Sequence, residues 1–263
     1  MKRIAMIAGG MFAAHAASAG VYVEMVNHDL KTDKTELSQK MYVQAGSGRF
    51  VDDSGRVSII KADTMYILDE ADQSYIVFDK ATMEQLAKKI NDQMAQVKEQ
   101  LAKLPPEQRT QMEQAMGKIP GMGGEGQKWT VEAIDTGKSD KVDGRSCKLW
   151  DIKRNGELDE QVCVVPYSAL PGKEDFKAVF ANFAKVFEEM AKSVPMLSGM
   201  MSNEFSAHVK ANGYPVRLRG YDNGKPGDEE TLMKVWREEA IPTSMFEIPA
   251  GYKPKKMPMG PGQ

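Results

Sequence analysis

Apolar positions cluster in two short runs, 65–68 and 75–78, with a polar turn between them. Both runs carry β-branched or aromatic residues, and acidic and amide residues fill the connection, which predicts a β-hairpin. Apolar side chains stand at successive positions, not only at alternate ones, so both faces of the hairpin are apolar. Strands that are buried on both faces have this pattern. We therefore expect the hairpin in the middle of a sheet that is covered on both sides.

The chain before this hairpin contains several more short apolar runs of similar length. They cover residues 21–26, 37–44, 49–51 and 57–61, with glycine-containing or acidic turns between the later ones. Short strands at such even spacing predict an antiparallel meander. A sheet of this kind needs an apolar cover.

Beyond Asp79 the spacing changes from that of strands to that of an α-helix. Apolar residues recur every three or four positions, at Met83, Ala87, Ile90, Met94, Val97, Leu101 and Leu104. Charged and amide side chains fill the opposite side, and Asp79 suits the N-cap. Pro106 suits the first position of a second helix. The pattern predicts a helical hairpin insertion at 80–119, followed by a flexible linker at 120–126.

Strand patterns resume after the linker and include both cysteines. Runs at 147–153 and 158–165 flank Asn155-Gly156, a strong hairpin signal. If a three-residue loop is centred on Asn155, Cys147 and Cys163 lie directly opposite each other. In an exported chain this placement predicts a disulfide, which the chain-entropy model values at about 3 kcal/mol for a loop of about 15 residues. Two buried thiols and a metal-binding pair are the alternatives.

The most apolar helical face of the chain follows Pro171-Gly172. It comprises Phe176, Val179, Phe180, Phe183, Val186, Phe187 and Met190. Such a stripe predicts a helix packed against the core. In a second interpretation, part of this face lines a ligand cavity. Two final strands, 214–221 and 231–238, and a closing segment at 241–252 complete the pattern.

The N-terminus has the three parts of a secretory signal. Lys2 and Arg3 precede an apolar run at 4–14, and Ala17-Ser18-Ala19 matches a cleavage site. We expect cleavage after Ala19 and a periplasmic protein; a buried N-terminal helix is the alternative. The rest then forms a single domain at 20–252 with a disordered tail at 253–263.

Composition and motifs exclude several classes of function. The formal net charge is −2 with both signs interspersed, so we expect no nucleic-acid surface. No run approaches the roughly 20 apolar residues of a transmembrane helix. His28 and His208 stand in loop-like stretches without a nucleophile signature, and the glycines at 121–126 lack the lysine of a phosphate loop. We therefore expect neither enzymatic activity nor a cofactor.

Methionine is unusually frequent, with 19 residues. Thioether sulfur binds Cu(I), and two groups have suitable spacing: Met196, Met200 and Met201, or Met257 and Met259. Methionine is also adaptable core material and suits surfaces that accept varied apolar ligands. Copper binding is therefore an alternative function.

Four stretches carry a family resemblance. They are TMYILDEADQSYIVFD (64–79), CVVPYSALPG (163–172), GYPVRLRGYDNG (213–224) and AIPTSMFEIPAGYKP (240–254). Together they resemble an exported bacterial family of unknown function with the architecture of LolA/LolB-type lipoprotein carriers. The resemblance implies an α+β fold, in which a curved antiparallel sheet, an incomplete barrel, wraps around amphipathic helices. It also implies an apolar concavity, which holds acyl chains in the carriers.

The patterns and the resemblance together predict a non-enzymatic periplasmic protein that holds an apolar ligand between sheet and helices. The expected partner is a lipid, a lipoprotein or another envelope protein. Candidate lining residues are Phe176, Phe180, Phe183, Phe187, Met190, Met94, Ile90, Tyr66 and Leu68. The alternative is a structural or sensor module of the envelope without a ligand.

Overall fold

The computed structural model describes residues 18–117, 130–193 and 210–256. These residues form one open sheet of twelve strands with three α-helices. The strands are β1 Ser18–Asp29, β2 Lys34–Gln44, β3 Ser47–Asp52, β4 Val57–Lys61, β5 Thr64–Asp69, β6 Ser74–Phe78, β7 Val131–Val142, β8 Arg145–Arg154, β9 Glu157–Pro166, β10 Gly213–Asp222, β11 Lys225–Ile241 and β12 Lys253–Pro254. The helices are α1 Lys80–Ala102, α2 Pro106–Gly117 and α3 Lys173–Ser193. The α+β class and the predominantly antiparallel sheet are confirmed.

Two meanders join at the centre of the sheet. The strand order is β12-β6-β5-β4-β3-β2-β1-β11-β10-β9-β8-β7. All neighbours pair antiparallel except β12, which pairs parallel with β6. The central pair, β1 and β11, therefore comes from opposite ends of the described chain.

The first strand begins inside the predicted signal sequence. Ser18 pairs with Ile241 and Ala19 pairs with Ala240 on β11. Residues 1–17 lie outside the described part of the chain, so the signal itself stays a prediction.

The hairpin at 65–78 is confirmed as β5 and β6, but its expected place in the middle of the sheet is wrong. It lies near one edge of the described sheet, where β6 is followed on its outer side by the two-residue β12. Both faces are nevertheless covered. Met65 and Phe78 pack with the helices, whereas Tyr66 and Leu68 pack with Phe246 of the C-terminal segment. Apolar residues on both faces of a strand indicate that other segments pack above and below it. They do not indicate where the strand lies in the order of the sheet.

The C-terminal segment also corrects the prediction of a disordered tail from residue 253. β12 pairs with Ser74 and Tyr75, and the backbone N–H of Lys255 donates to the carbonyl of Tyr75 at 2.8 Å. The Lys255 ammonium lies 2.6 Å from the Asp72 carboxylate. Residues 257–263 lie outside the described chain.

The helical hairpin follows its sequence signals closely. The Asp79 carboxylate caps α1 by accepting a hydrogen bond from the N–H of Thr82 at 2.8 Å. Pro106 is the first residue of α2, as expected. Met83 is fully buried and packs with Val186 of α3, which attaches the hairpin to the rest of the fold. The predicted linker at 120–126 lies outside the described residues.

The disulfide between Cys147 and Cys163 is confirmed, with the two Cα atoms 5.4 Å apart. The expected register is wrong, because Cys163 pairs with Leu149 and not with Cys147. Asn155 and Gly156, with φ of 51° and 84°, form a two-residue turn. This shorter turn shifts the register by one position, and a bulge that leaves Asp159 unpaired shifts it by another.

Helix α3 is fixed to the sheet at its first turn. The indole N–H of Trp236 on β11 donates to the carbonyl of Pro171 at 2.9 Å. The Phe176 ring is fully buried, with its centroid 4.7 Å from that of Trp236 and 4.9 Å from that of Tyr214. Aromatic pairs at these distances stabilise a core beyond the area that they bury.

Two polar contacts continue this attachment along α3. The Asp175 carboxylate accepts a hydrogen bond from the N–H of Ala45 at 2.7 Å, and the Asn182 amide donates to the carbonyl of Gly46 at 2.8 Å. Both partners lie in the turn between β2 and β3. Together with the aromatic contacts, they determine the direction in which α3 crosses the sheet.

Gly172 lets the chain just before α3 lie close to Val21 on β1. Its φ is +62°, and a Cβ atom there would collide with the Val21 side chain. We expect Gly172→Ala to lower the free energy of unfolding by about 1–3 kcal/mol more than Gly55→Ala does. Gly55 is a matched control, because its φ is also positive, +82°, but a Cβ atom there meets open space. Urea denaturation of both variants measures the difference, and equal losses would contradict a steric role for Gly172.

Candidate ligand cavity

A cavity of about 810 Å³ lies between α3 and the sheet. This volume falls within the range of about 300–1,000 Å³ that is typical of ligand sites. Its apolar walls comprise Met25, Met41, Phe50, Ile60, Met65, Val179, Phe180, Phe183, Pro215 and Leu218. Side chains from both meanders therefore meet around one space.

The strand register brings the sheet side of this wall together. Met41 pairs with Phe50, and Ile60 pairs with Met65, so each pair shares a face of the sheet. Gly48 lies on β3 two residues before Phe50. A Cβ atom at Gly48 would come within 2.8 Å of Val179 on α3, so the missing side chain lets the helix lie close to the strand.

The sequence-based lining residues lie in different parts of the structure. Phe180 and Phe183 line the cavity, as expected. Phe176 is buried in the aromatic cluster that anchors α3. Ile90 is half-buried on α1 and does not belong to the described lining. The side chains of Phe187, Met190 and Met94 lie outside the described residues.

Tyr66 and Leu68 need a correction. Both pack with Phe246 on the face of the sheet opposite to α3. Successive side chains of a strand point to opposite faces, so Met65 reaches the cavity and its neighbour Tyr66 cannot.

The strand methionines and Tyr214 were missed as lining residues. Met25 and Met41 occupy one face of β1 and β2, respectively, in register with buried valines such as Val23 and Val43. This alternation was a usable signal in the sequence. Only the pairing of the strands, however, shows that the two methionines are diagonal neighbours on adjacent strands, since Met41 pairs with Val23 and Met25 with Gln39. Both sulfurs lie beside the Tyr214 hydroxyl.

The Tyr214 hydroxyl lies between these two methionines. Its oxygen is 3.5 Å from the sulfur of Met25 and 3.8 Å from the sulfur of Met41. The residue is only 4% exposed. Burial raises the pKa of Tyr214 well above its ordinary value, so the hydroxyl stays protonated at neutral pH.

The charged side chains among the described lining residues are Asp52 and Asp53. The Asp52 carboxylate accepts hydrogen bonds from the Ser54 hydroxyl at 2.6 Å and from the N–H of Arg56 at 2.9 Å. These bonds, with the Arg56 guanidinium nearby, hold the pKa of Asp52 below its ordinary value. Asp53 is exposed. The Arg56 guanidinium lies 3.1 Å from the Asp52 carboxylate and offsets its charge. The negative charge that the described lining presents to a ligand therefore comes from Asp53.

The described residues contain no group of three or more His, Cys, Asp or Glu side chains arranged for a metal ion. The sulfur ligands of the copper alternative lie outside the described residues; they are Met196, Met200, Met201, Met257 and Met259. Within the described chain, no helix combines the length and the apolar character that crossing a membrane requires.

No protein-family model and no curated protein matches the chain. Among solved structures, the chain is similar to an uncharacterized conserved protein from Thermus thermophilus, with 7% identity and a TM-score of 0.41. The match covers 92% of this chain and 91% of that one. A similarity at this level supports neither a shared fold nor a shared function.

His28 does not lie in a loop, as the sequence suggested, but near the end of β1. Its Nε2 is 2.9 Å from the Asp33 carboxylate and its Nδ1 is 3.1 Å from the Glu230 carboxylate. The Arg217 guanidinium lies 3.9 Å from Glu230 and partly offsets that charge. The hydrogen bonds to Asp33 and then to Glu230 raise the pKa of His28. His208 lies outside the described residues.

A raised pKa in the folded state means that protonation of His28 stabilises the fold. This contribution is complete below the ordinary histidine pKa of about 6.5 and is lost as pH rises through the higher pKa of the folded protein. We expect the stability difference between the natural protein and His28→Gln to be largest below about pH 6.5 and to shrink as the pH rises from there into the alkaline range. Urea denaturation across this range measures it; a difference that is constant or grows with pH would contradict the ion pairs.

Proposed function

We propose that the protein is a periplasmic, non-enzymatic binding protein whose cavity holds a ligand with an apolar chain, either a lipid or an acylated partner. The observation that carries this proposal is the 810 Å³ space between α3 and the sheet. Phe180 and Phe183 provide its helical wall, and Met41 is part of its strand wall. Methionine adapts to irregular apolar shapes, which suits acyl chains of varied length.

Both walls are held by contacts that do not depend on a ligand. The bond from Trp236 to Pro171 anchors α3, and the ladder of paired strands holds the sheet. A cavity whose walls are already ordered loses little conformational entropy when a ligand enters. The ordered walls therefore favour ligand binding that needs no prior rearrangement of α3.

The cellular location is part of the same proposal. The disulfide between Cys147 and Cys163 fits an oxidising compartment, and the signal-like N-terminus fits export. The resemblance to LolA/LolB-type carriers supports an acyl chain as the apolar part of the ligand.

Filling the cavity tests the proposal directly. Ser58 lines the cavity from β4, so we expect Ser58→Trp to place an indole in the ligand space. The affinity for the apolar fluorophore N-phenyl-1-naphthylamine should fall about tenfold or more, equivalent to about 1.4 kcal/mol. Ser146→Trp on the exposed face of β8 is the control and should bind as the natural protein does.

Fluorescence titration measures both affinities, and native mass spectrometry of protein purified from the periplasm detects a co-purifying lipid. If the natural protein does not bind the fluorophore, or if Ser58→Trp binds it unchanged, the cavity is not a ligand site and the proposal fails.

The acidic lining predicts a preference among ligands with equal chains. We expect a monoacylglycerol to compete with the fluorophore more effectively than the matching fatty acid, because Asp53 repels a carboxylate, whereas the charge of Asp52 is offset by Arg56. Exposed charges interact by about 0.2–1 kcal/mol, so the difference should be about 1.4- to 5-fold. Asp53→Asn should reduce this difference at neutral pH in a competition titration. Equal or tighter binding of the fatty acid by the natural protein would contradict it.

A further inference from the structure

The Tyr214 hydroxyl is a strong donor whose partners in the described chain are weak. A buried tyrosine usually finds an oxygen acceptor, whereas here the partners are the thioether sulfurs of Met25 and Met41. All three residues also line the cavity. The buried Tyr214 hydroxyl therefore makes only weak hydrogen bonds to the residues that the structure describes.

The ring of Tyr214 is held in place on the sheet. It meets Phe176 edge-on, with the centroids 4.9 Å apart, and it meets Trp236 at the same distance. The two methionines have flexible side chains, so their sulfurs can move aside for a stronger acceptor. The donor is thus fixed, whereas its present acceptors are adaptable. Such an arrangement suits a ligand oxygen.

We propose that Tyr214 donates a hydrogen bond to the carbonyl oxygen of an acyl ester or acyl amide bound in the cavity. This inference rests on the proposed function and specifies its ligand. A pure hydrocarbon leaves the hydroxyl with its sulfur partners. A carboxylate would accept the bond but meets the negative charge of Asp53. A neutral ester or amide carbonyl can accept the hydrogen bond and carries no charge that an aspartate would repel.

Tyr214→Phe is the decisive variant, because it removes the hydroxyl and keeps the ring. We expect its affinity for 1-monomyristoylglycerol, an ester, and for N-myristoylglycinamide, an amide, to fall about 2- to 10-fold, which is the range of one hydrogen bond. Binding of N-phenyl-1-naphthylamine, which has no carbonyl, should stay unchanged or tighten. Tyr66→Phe is the control, since Tyr66 lies on the opposite face of the sheet and the change should alter neither affinity.

The two arms identify the source of the carbonyl. A loss for the ester alone assigns the site to glycerides, a loss for the amide alone assigns it to N-acylated chains, and either supports the proposal. If Tyr214→Phe binds both as the natural protein does, the inference fails while the proposed function stands. If the natural protein binds none of the three ligands, the proposed function fails and the inference with it.

A second measurement does not depend on how well the variant folds. Infrared spectroscopy of the natural protein with ¹³C-carbonyl monomyristoylglycerol should show the carbonyl stretch at lower wavenumber than in a hydrocarbon solvent. A bound ester whose stretch matches that in hydrocarbon accepts no hydrogen bond, and that result would overturn the assignment to Tyr214.

Discussion

The attachment of α3 to the sheet is the contact on which the rest of the structure depends. Phe176 is fully buried between Trp236 and Tyr214, and the same Trp236 indole holds the chain at Pro171, just before the helix begins. The anchored first turn places Phe180 and Phe183 above the sheet one and two turns later. The helix therefore covers the sheet tightly at one end and leaves the cavity beside its next turns.

The cavity also requires both meanders. One wall comes from β1 to β5 and another from β10 and β11, and these halves meet only because β1 and β11 pair at the centre of the sheet. Contacts between residues so distant along the chain form at a high cost in chain entropy. The buried disulfide and the bond between Trp236 and Pro171 lie in the second half and help to hold its strands and α3 in one arrangement.

The two faces of the sheet differ in how they are filled. On the face opposite to α3, Phe246 and its neighbours pack closely over β4 and β5. On the helical face, Met25 and Met41 of the strands border the cavity. The Tyr214 hydroxyl contacts the sulfur atoms of both. One face of the sheet is therefore filled by packed side chains, whereas the other face borders the cavity.

Local signals in the sequence determined the helices and the two hairpins, since caps, turn residues and periodicity act over a few residues. Asp79 caps α1, Pro106 begins α2 and Asn155-Gly156 form a turn. The disulfide forms as expected, but in a register that the local signals did not give. The local signals also indicated that Phe180 and Phe183 face the sheet. Only the tertiary structure decided that Leu68 and Tyr66 face away from α3, that the hairpin at 65–78 lies near an edge, and that Met25, Met41 and Tyr214 meet. These outcomes depend on strand order, bulges and register, which are decided by packing between segments that are far apart in the chain.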